Sequence, residues 1–165
     1  MKILLFGCRG QVGWELQRTL APLGEVIALD REGAHGLCAD FLCPDALAET
    51  VQIVAPDVMV NAAAYTSVDQ AESEQQQAYI INAESPEILA REAQKLGALL
   101  IHYSTDYIFD GSGEHPRQEN DPPGPLNVYG ASKLAGENAI RDSQCSHLIF
   151  RTSWVYAAHG KNFIH

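Results

Sequence analysis

The sequence has no cluster of basic residues and no apolar run long enough for a membrane helix. Only 11 of its 165 residues are Lys or Arg, against 21 Asp or Glu, which gives a formal net charge of −10. Without a basic stripe to neutralise phosphates, nucleic acid is not an expected partner. The apolar runs have the length of strands and fall far short of the roughly 20 residues that span a bilayer, so we expect no membrane contact.

The cysteines also lack the CxxC spacing that is typical of metal and redox sites. They are Cys8, Cys38, Cys43 and Cys145. No cluster of histidines stands near the closest two to complete a metal site, and the spacing of residues demands no metal anywhere. An apolar segment begins at Lys2 and leaves no room for a signal peptide. We therefore expect reduced, structural cysteines in a cytoplasmic protein.

Short apolar segments alternate along the chain with segments of helical periodicity. The apolar segments are typical of buried parallel strands, which we predict at 2–7, 25–30, 57–63, 98–105 and 147–154, with a weaker one at 36–39. Helices are predicted at 12–20, 44–55, 128–142 and in two pieces over 67–97, where Ser85 caps the second piece and Pro86 begins it. This alternation indicates an α/β fold of Rossmann type, a doubly wound parallel sheet with helices on both faces.

The first predicted strand leads directly into 7-GCRGQVG-13. Gly7 permits a tight turn, Gly10 lets backbone N–H groups approach a pyrophosphate, and Gly13 lets the following helix pack closely. The first turn of that helix, with Gln11 and Val12, adds partial positive charge for the phosphates. A glycine triplet is a weak signal alone, but here it opens a βαβ unit. The sequence therefore predicts a dinucleotide site.

The residues after the second strand leave the choice between NADH and NADPH open. Asp30 ends that strand, where a carboxylate accepts hydrogen bonds from the adenosine ribose and favours NAD. Arg31 follows, and Arg9 lies in the glycine loop, so either guanidinium could pair with the extra phosphate of NADP. Two exposed arginines without a ligand explain the same pattern. Further cofactor contacts are predicted at Ala39, Asp40, Ala62, Ala63, Ala64 and Tyr65.

The segment 129-YGASK-133 places a phenol and an ammonium on the same face of a predicted helix. A solvated helix face could carry the same pair. A neighbouring ammonium would lower the pKa of Tyr129 and make its phenol a better general acid. At the end of the strand 98–105, Ser104 and Thr105 each offer a hydroxyl, and alternation lets one of them face the site.

Five stretches resemble the extended short-chain dehydrogenase/reductases, and within them the reductases of dTDP-linked 4-keto deoxysugars. They are 7-GCRGQVGWELQ-17, 61-NAAAYTSVDQAE-72, 104-STDYIFDG-111, 126-LNVYGASKLAGE-137 and 151-RTSWVY-156. The resemblance implies an NAD(P)H-dependent reductase that serves bacterial surface polysaccharide synthesis. Because family members continue into a substrate-binding region, we expect residues 1–165 to be an NAD(P)-binding domain that lacks that region, with 161–165 inside a helix.

The resemblance also implies the roles of three side chains. Tyr129 donates a proton to the C4 oxygen of the 4-keto sugar. Lys133 lowers the pKa of Tyr129 and binds the nicotinamide ribose, so both residues also belong to the cofactor site. The family pattern selects Thr105, rather than Ser104, as the hydroxyl that polarises the carbonyl.

Contacts with the dTDP-sugar substrate are implied for Asp106, Tyr107 and Trp154, together with Thr105. Large aromatic residues at strand ends are more often core residues, which is the alternative for Tyr107 and Trp154. Some family members bind Mg²⁺ through glutamates at a subunit contact. A homodimer is therefore a further expectation, and Glu15 is the one candidate for a metal ligand.

Two other functions are compatible with the sequence. Relatives of these reductases serve as the regulatory subunit of methionine adenosyltransferase, which binds nucleotide without turnover. Intact Thr105, Tyr129 and Lys133 argue against that function. Epimerases of the same superfamily keep the Tyr/Lys pair but retain NAD tightly, so NAD that co-purifies with the protein would favour an epimerase.

Overall fold

The computed structural model describes residues 1–160 and 162. Within these residues it contains five strands, β1 (Lys2–Phe6), β2 (Glu25–Leu29), β3 (Val58–Asn61), β4 (Leu99–Thr105) and β5 (His147–Thr152). The α-helices are α1 (Gln11–Leu20), α2 (Pro44–Val54), α3 (Val68–Ala71), α4 (Gln75–Tyr79), α5 (Ser85–Leu96) and α6 (Val128–Asp142). The helix expected at 161–165 lies, apart from Asn162, outside the described residues.

The strands form one parallel sheet in the order β2-β1-β3-β4-β5. The chain moves outward from β1 to β2 and then returns to place β3 on the other side of β1. The predicted Rossmann-type fold is therefore confirmed. In such a sheet the order reverses between β1 and β3, and ligands bind in the crevice outside the carboxyl ends of those strands.

Alternation along β1 divides the core between the two faces of the sheet. Leu4 and Phe6 point to one face and are buried in a large apolar cluster with residues of α2, α5 and α6. Ile3 and Leu5 point to the opposite face, where α1 packs its apolar side against the sheet. No helix within the described residues is both long enough and apolar enough to cross a membrane.

The weak strand predicted at 36–39 is wrong. Ala34 and Leu37 instead exchange two backbone hydrogen bonds with each other, of 2.8 and 3.2 Å, in an isolated antiparallel bridge. Gly33 and Gly36 adopt positive φ angles of 70° and 78°, which lets the chain turn back on itself there. Because Leu37 has both of its backbone groups bonded within this turn, it adds nothing to the sheet.

The predicted cap at Ser85 is also wrong. A π-helical turn, Ile80–Glu84, joins α4 to α5 without a break, and Ser85 has helical angles of φ −66° and ψ −44°. Its hydroxyl donates to the carbonyl oxygen of Phe41 at 2.6 Å instead of capping a helix. Pro86 then lies in the first turn of α5, where the helical path has been widened and its missing N–H is tolerated. The predicted helix end at Gly97 is confirmed, with a left-handed φ of 66°.

Candidate active site

The turn from β1 into α1 requires glycine at two positions for reasons of packing. Gly7 has a φ of 80°, and a Cβ there would lie 2.7 Å from the backbone nitrogen of Ala63. A Cβ at Gly13 would lie 2.1 Å from the carbonyl oxygen of Gly7. Gly10 is different, because its φ is −71° and the nearest atom to an added Cβ would be the same oxygen at 3.4 Å. Packing does not require glycine there, and its missing side chain leaves the amino terminus of α1 open to the space in front of it.

That space is one end of a cleft of about 1030 Å³ along the carboxyl edge of the sheet, at the large end of the range for ligand sites. Every residue predicted for the cofactor lines it except Gly13, which is buried inside α1. The cofactor residues that line it are Gly7, Gly10, Gln11, Val12, Asp30, Arg31, Ala39, Asp40, Ala62, Ala63, Ala64, Tyr65, Tyr129 and Lys133. The residues predicted for the substrate, Thr105, Asp106, Tyr107 and Trp154, line the other end.

Charged side chains at the β2 end of the cleft are paired with one another. The guanidinium of Arg9 contacts one carboxylate oxygen of Asp30, and the other oxygen accepts the backbone N–H of Glu32 at 3.0 Å. Arg31 lies 3.5 Å from Asp40. A ribose hydroxyl that binds Asp30 would therefore share the carboxylate with Arg9. The residue expected to favour NAD is thus paired with one expected to favour NADP.

The loop after β3 is held by a residue that the sequence did not single out. Asn82, in the π-helical turn, accepts the backbone N–H of Tyr65 at 2.9 Å and donates to the carbonyl oxygen of Tyr65 at 3.1 Å. The same amide donates to the hydroxyl of Ser132 at 3.0 Å. The loop that lines the middle of the cleft is thus fastened to α6, one residue from Lys133.

Whereas the backbone of Tyr65 is bonded to Asn82, its phenol donates a hydrogen bond to Glu74 at 2.7 Å. Burial raises the pKa of Tyr65 to about 12, and the hydrogen bond and negative charge of Glu74 act in the same direction. Tyr65 therefore stays protonated at neutral pH, and its phenol has a structural partner.

The amino terminus of α6 brings the predicted catalytic residues to the end of β4. Asn127 caps the helix by accepting the backbone N–H of Gly130 at 2.7 Å. A Cβ at Gly130 would lie 2.2 Å from the carbonyl oxygen of Tyr107, so glycine allows the helix to approach the turn after β4. The rings of Tyr107 and Tyr129 then meet edge to face, with their centroids 5.6 Å apart.

The pKa of Tyr129 is raised above its ordinary value, contrary to the expectation from Lys133. Burial of the phenol is the largest cause; the hydrogen bond with Thr105 lowers the pKa, while Asp106 and Tyr107 raise it. Burial prevails because Lys133 directs its amine elsewhere: Nζ donates to the carbonyl oxygen of Tyr103 at 2.7 Å. In this structure Tyr129 is therefore a phenol that carries its proton at neutral pH.

Lys133 is an unusual lysine because its side chain is only 1% exposed. Burial lowers its pKa to about 8, and the nearby carboxylate of Glu137 acts in the opposite direction. Glu137 is fully buried and lies 2.7 Å from Arg141 and 2.8 Å from Arg151. Burial alone would raise the pKa of Glu137, but hydrogen bonds from Arg151 and Arg141 lower it overall. Glu137 is therefore a carboxylate at neutral pH.

At the substrate end, Thr105 accepts the backbone N–H of Tyr107 and donates to Asp106, both at 3.2 Å. Asp106 also accepts the hydroxyl of Ser153 at 2.6 Å. Trp154 is 71% exposed and has a left-handed φ of 48°. The alternative that Trp154 belongs to the core is therefore wrong, and its indole is accessible at the mouth of the cleft.

Several lining residues were not predicted from the sequence. They include Thr66, Ser67, Gln77, Ile81, Tyr103, Thr152 and Val155. Alternation along β4 could have identified Tyr103, which lies two positions before Thr105. Gln77 and Ile81 are four apart, but the face of the helix that they share could not be placed without the structure. Among residues 1–160 and 162, no group of three or more His, Cys, Asp or Glu side chains is arranged to hold a metal ion.

Comparison with known proteins gives consistent matches along the whole chain. The family model described as RmlD substrate binding domain matches residues 1–165. A dTDP-4-dehydrorhamnose reductase of Salmonella typhimurium is 58% identical over 163 residues, which is 99% of this chain and 54% of that protein. The chain thus spans about half the length of the curated relatives that it matches.

Solved structures of similar proteins have the same fold. The dTDP-4-dehydrorhamnose reductase of Clostridium acetobutylicum superimposes with a TM-score of 0.92 at 38% identity, over 99% of this chain and 57% of that one. The enzyme of the same description from Bacillus anthracis, solved in complex with NADP, has a TM-score of 0.91 at 37% identity, over 99% and 57% of the two chains.

Proposed function

Because this chain belongs to the family of the RmlD substrate binding domain, we propose that the protein carrying it reduces the 4-keto group of dTDP-4-dehydrorhamnose. The reductant would be NADPH or NADH, and the product dTDP-L-rhamnose, a precursor of bacterial surface polysaccharide. The observation that carries the proposal is the cleft, which has a glycine turn at one end and Thr105, Tyr129 and Lys133 at the other.

The dinucleotide would lie along the cleft from the β2 edge to α6. Support comes from the open amino terminus of α1 at Gly10, where backbone N–H groups and the helix dipole suit a pyrophosphate. The small side chains of Ala62, Ala63 and Ala64 line the same cleft and leave room for a flat ligand. These features fit a nicotinamide dinucleotide, whose reduced ring supplies the hydride.

Tyr129 would act as the general acid. A carbonyl that gains hydride needs a proton at its oxygen. Tyr129 carries that proton at neutral pH, since a phenol has an ordinary pKa near 10 and burial raises the pKa of Tyr129 further. Thr105 would donate its hydroxyl to the same carbonyl oxygen, which requires that hydroxyl to turn away from Asp106. Lys133 would hold the nicotinamide ribose and supply positive charge beside Tyr129 when it is protonated. Asp106, Tyr107 and Trp154 would contact the sugar nucleotide.

Both reduced nicotinamides are proposed as substrates. Arg9 neutralises Asp30, so a 2′-phosphate would meet less repulsion than it would from an unpaired carboxylate. The related enzyme from Bacillus anthracis was solved with NADP. A ribose hydroxyl can still compete with Arg9 for Asp30, because the arginine side chain is 70% exposed and its ion pair is weakened by water.

We propose this activity for a longer protein in which the chain is the NAD(P)-binding domain, since it spans 54% of the Salmonella relative. That protein would work in the cytoplasm, as a homodimer. A Mg²⁺ ion with Glu15 as one ligand would belong to the contact between subunits. Sedimentation with and without a chelator measures both features, and the expected result is a dimer that dissociates when the chelator removes Mg²⁺. A monomer without chelator would contradict the homodimer, and a dimer that persists with chelator would contradict a Mg²⁺ ion at the contact.

The reaction itself is tested by mixing the full-length protein with dTDP-4-dehydrorhamnose and either NADPH or NADH. The expected result is loss of the reduced-nicotinamide absorbance in step with formation of dTDP-L-rhamnose, identified by NMR. Nucleotide binding without oxidation would contradict the reductase and favour a regulatory protein. Co-purified NAD with no net oxidation would favour an epimerase.

A further inference from the structure

Two polar side chains are buried together behind the cleft, directly beneath Lys133. Asn61 on β3 and His102 on β4 are neighbours in the register of the sheet. Their exposed fractions are 0% and 1%. Buried polar groups need hydrogen-bond partners, so the partners of these two side chains determine which atoms carry hydrogen.

The backbone of Ala63 orients the amide of Asn61. The Ala63 N–H donates to Asn61 Oδ1 at 3.0 Å, so the amide oxygen faces Ala63 and Nδ2 faces the opposite way. Nδ2 lies 3.1 Å from His102 Nδ1. An amide nitrogen only donates, so His102 Nδ1 must accept. A neutral imidazole that accepts at Nδ1 carries its proton on Nε2.

That N–H is directed at Lys133. His102 Nε2 lies 3.3 Å from Lys133 Nζ. An ammonium has no lone pair and cannot accept a hydrogen bond, whereas a neutral amine has one lone pair and two hydrogens. The neutral amine can therefore accept from His102 and still donate to the carbonyl oxygen of Tyr103, 2.7 Å from Nζ.

We propose that Asn61 and His102 are positioning residues for Lys133, which present an N–H to its Nζ and so favour the neutral amine while Ala63 holds Asn61 in place. The proposal rests on the proposed function, since it concerns Lys133 as a member of the reductase site. A protonated Lys133 needs a lone pair on His102 Nε2, hence a proton on Nδ1. That proton faces Asn61 Nδ2, so the amide must reverse and the bond to Ala63 is lost.

The charge of Lys133 is therefore coupled to the backbone of Ala63, which lines the cofactor cleft. A ligand that presses on the loop after β3 would change the charge of the lysine, and protonation of the lysine would loosen the loop. His102 thus acts on the site through Lys133, although His102 itself does not line the cleft.

The charged and titratable groups around this lysine are Glu137 and Tyr129 from α6 and His102 from β4, with Arg141 and Arg151 paired to Glu137 behind them. Glu137 favours the ammonium, and burial favours the amine and prevails, which lowers the pKa of Lys133 to about 8. Burial, followed by the charge of Lys133, lowers the pKa of His102 well below its ordinary value. The imidazole is therefore neutral near pH 8, with one ring nitrogen protonated.

The tautomer of His102 can be measured directly by long-range ¹H–¹⁵N NMR, which distinguishes protonated from unprotonated ring nitrogens. The sample is the full-length protein labelled at histidine, and His102→Gln identifies the His102 signals. At pH 9 we expect the proton on Nε2. As Lys133 becomes protonated below pH 8, we expect the proton to move to Nδ1 without charging the ring. A proton on Nδ1 at pH 9 would overturn the proposal.

Asn61→Asp tests the chain of hydrogen bonds from Ala63 through Asn61 and His102 to Lys133, with a side chain of equal size. A carboxylate accepts from His102 Nδ1, so the tautomer should reverse at pH 9, and the pKa of Lys133 should rise by about 1. Lysine ¹³Cε shifts report that pKa, with Lys133→Met to identify the resonance. His147→Gln, a histidine on the edge strand β5, is the matched control and should leave the Lys133 titration unchanged. An unchanged titration in Asn61→Asp would contradict the proposal.

These measurements need no turnover, so the two proposals can fail separately. The expected tautomer without oxidation of reduced nicotinamide would retain the positioning role and overturn the reductase. Oxidation with the opposite tautomer at pH 9 would retain the reductase and overturn the positioning role.

Discussion

Lys133 Nζ donates a hydrogen bond to the backbone carbonyl oxygen of Tyr103 at 2.7 Å, although the two residues are 30 positions apart in the sequence. The bond joins α6 to β4, immediately before the strand reaches Ser104 and Thr105. It uses a backbone atom, so the position of the amine is set by the sheet rather than by Tyr129. Lys133 is thereby fixed at the cleft while remaining buried.

Burial of this lysine makes the stability of the protein depend on pH. The pKa of Lys133 is about 8 in the folded protein, against an ordinary value of 10.5. Between these values the unfolded chain binds more protons, so the free energy of unfolding rises with pH. The rise from this group is about 3 kcal/mol in total and should be absent in Lys133→Met.

Urea unfolding of the wild type and Lys133→Met at several pH values between 8 and 10.5 measures this difference. The wild type should gain stability relative to the variant as the pH increases. Lys95→Met, which removes an exposed lysine, is the control for loss of one positive charge and should show no comparable trend. If the free energy of unfolding of the wild type relative to Lys133→Met stayed constant or fell as the pH increased, the pKa of Lys133 would not be lowered in the folded protein.

A substitution at Gly10 should weaken ligand binding while it leaves the fold nearly unchanged. A Cβ at this position has room, because its nearest atom would be 3.4 Å away, so Gly10→Ala should lose no more than about 1 kcal/mol of stability. The methyl group would occupy the space in front of the α1 amino terminus. The dissociation constant for NADPH should therefore rise about tenfold or more, which is about 1.4 kcal/mol.

Fluorescence titration of NADPH measures that constant, and thermal unfolding checks the fold. Gly124→Ala is the matched control, since its Cβ would make an ordinary 3.7 Å contact with Asp110 away from the cleft. Unchanged NADPH affinity in Gly10→Ala would place the pyrophosphate elsewhere.

Asp30 is expected to discriminate between the two reduced nicotinamides. Asp30→Ala removes an acceptor for the ribose hydroxyl and one of the two carboxylate partners of Arg9, the other being Glu32. NADH binding should therefore weaken more than NADPH binding. Parallel titrations of the variant with both nucleotides give the ratio of the two losses, and equal losses would mean that the ribose contact is elsewhere.

The sequence predicted the features that depend on neighbours along the chain. The glycine turn, Asp30 at the end of β2 and the pair Tyr129 and Lys133 are local patterns, and one parallel sheet brings them to one edge. Asn82 and His102 were missed because their importance comes from distant partners. Asn82 binds Tyr65, 17 positions away, and His102 lies beside Lys133, 31 positions away.

The wrong predictions have a similar physical cause. A short apolar segment at 36–39 can pair with a sheet or fold back on itself, and the glycines beside it favoured the turn. A Ser-Pro pair marks a helix start only if the preceding helix has ended, and here a π-helical turn continued it. The pKa of Tyr129 depends on burial, which the spacing of Tyr129 and Lys133 does not report.

The most direct test of the proposed reduction is the turnover of Tyr129→Phe beside the wild type, in the full-length protein with dTDP-4-dehydrorhamnose and NADPH. The substitution removes one hydroxyl and keeps the ring that packs edge to face on Tyr107. We expect kcat to fall by a factor of about 100 or more, because the carbonyl loses its proton donor, while the dissociation constant for NADPH stays close to that of the wild type. Turnover at the wild-type rate in Tyr129→Phe would contradict the account.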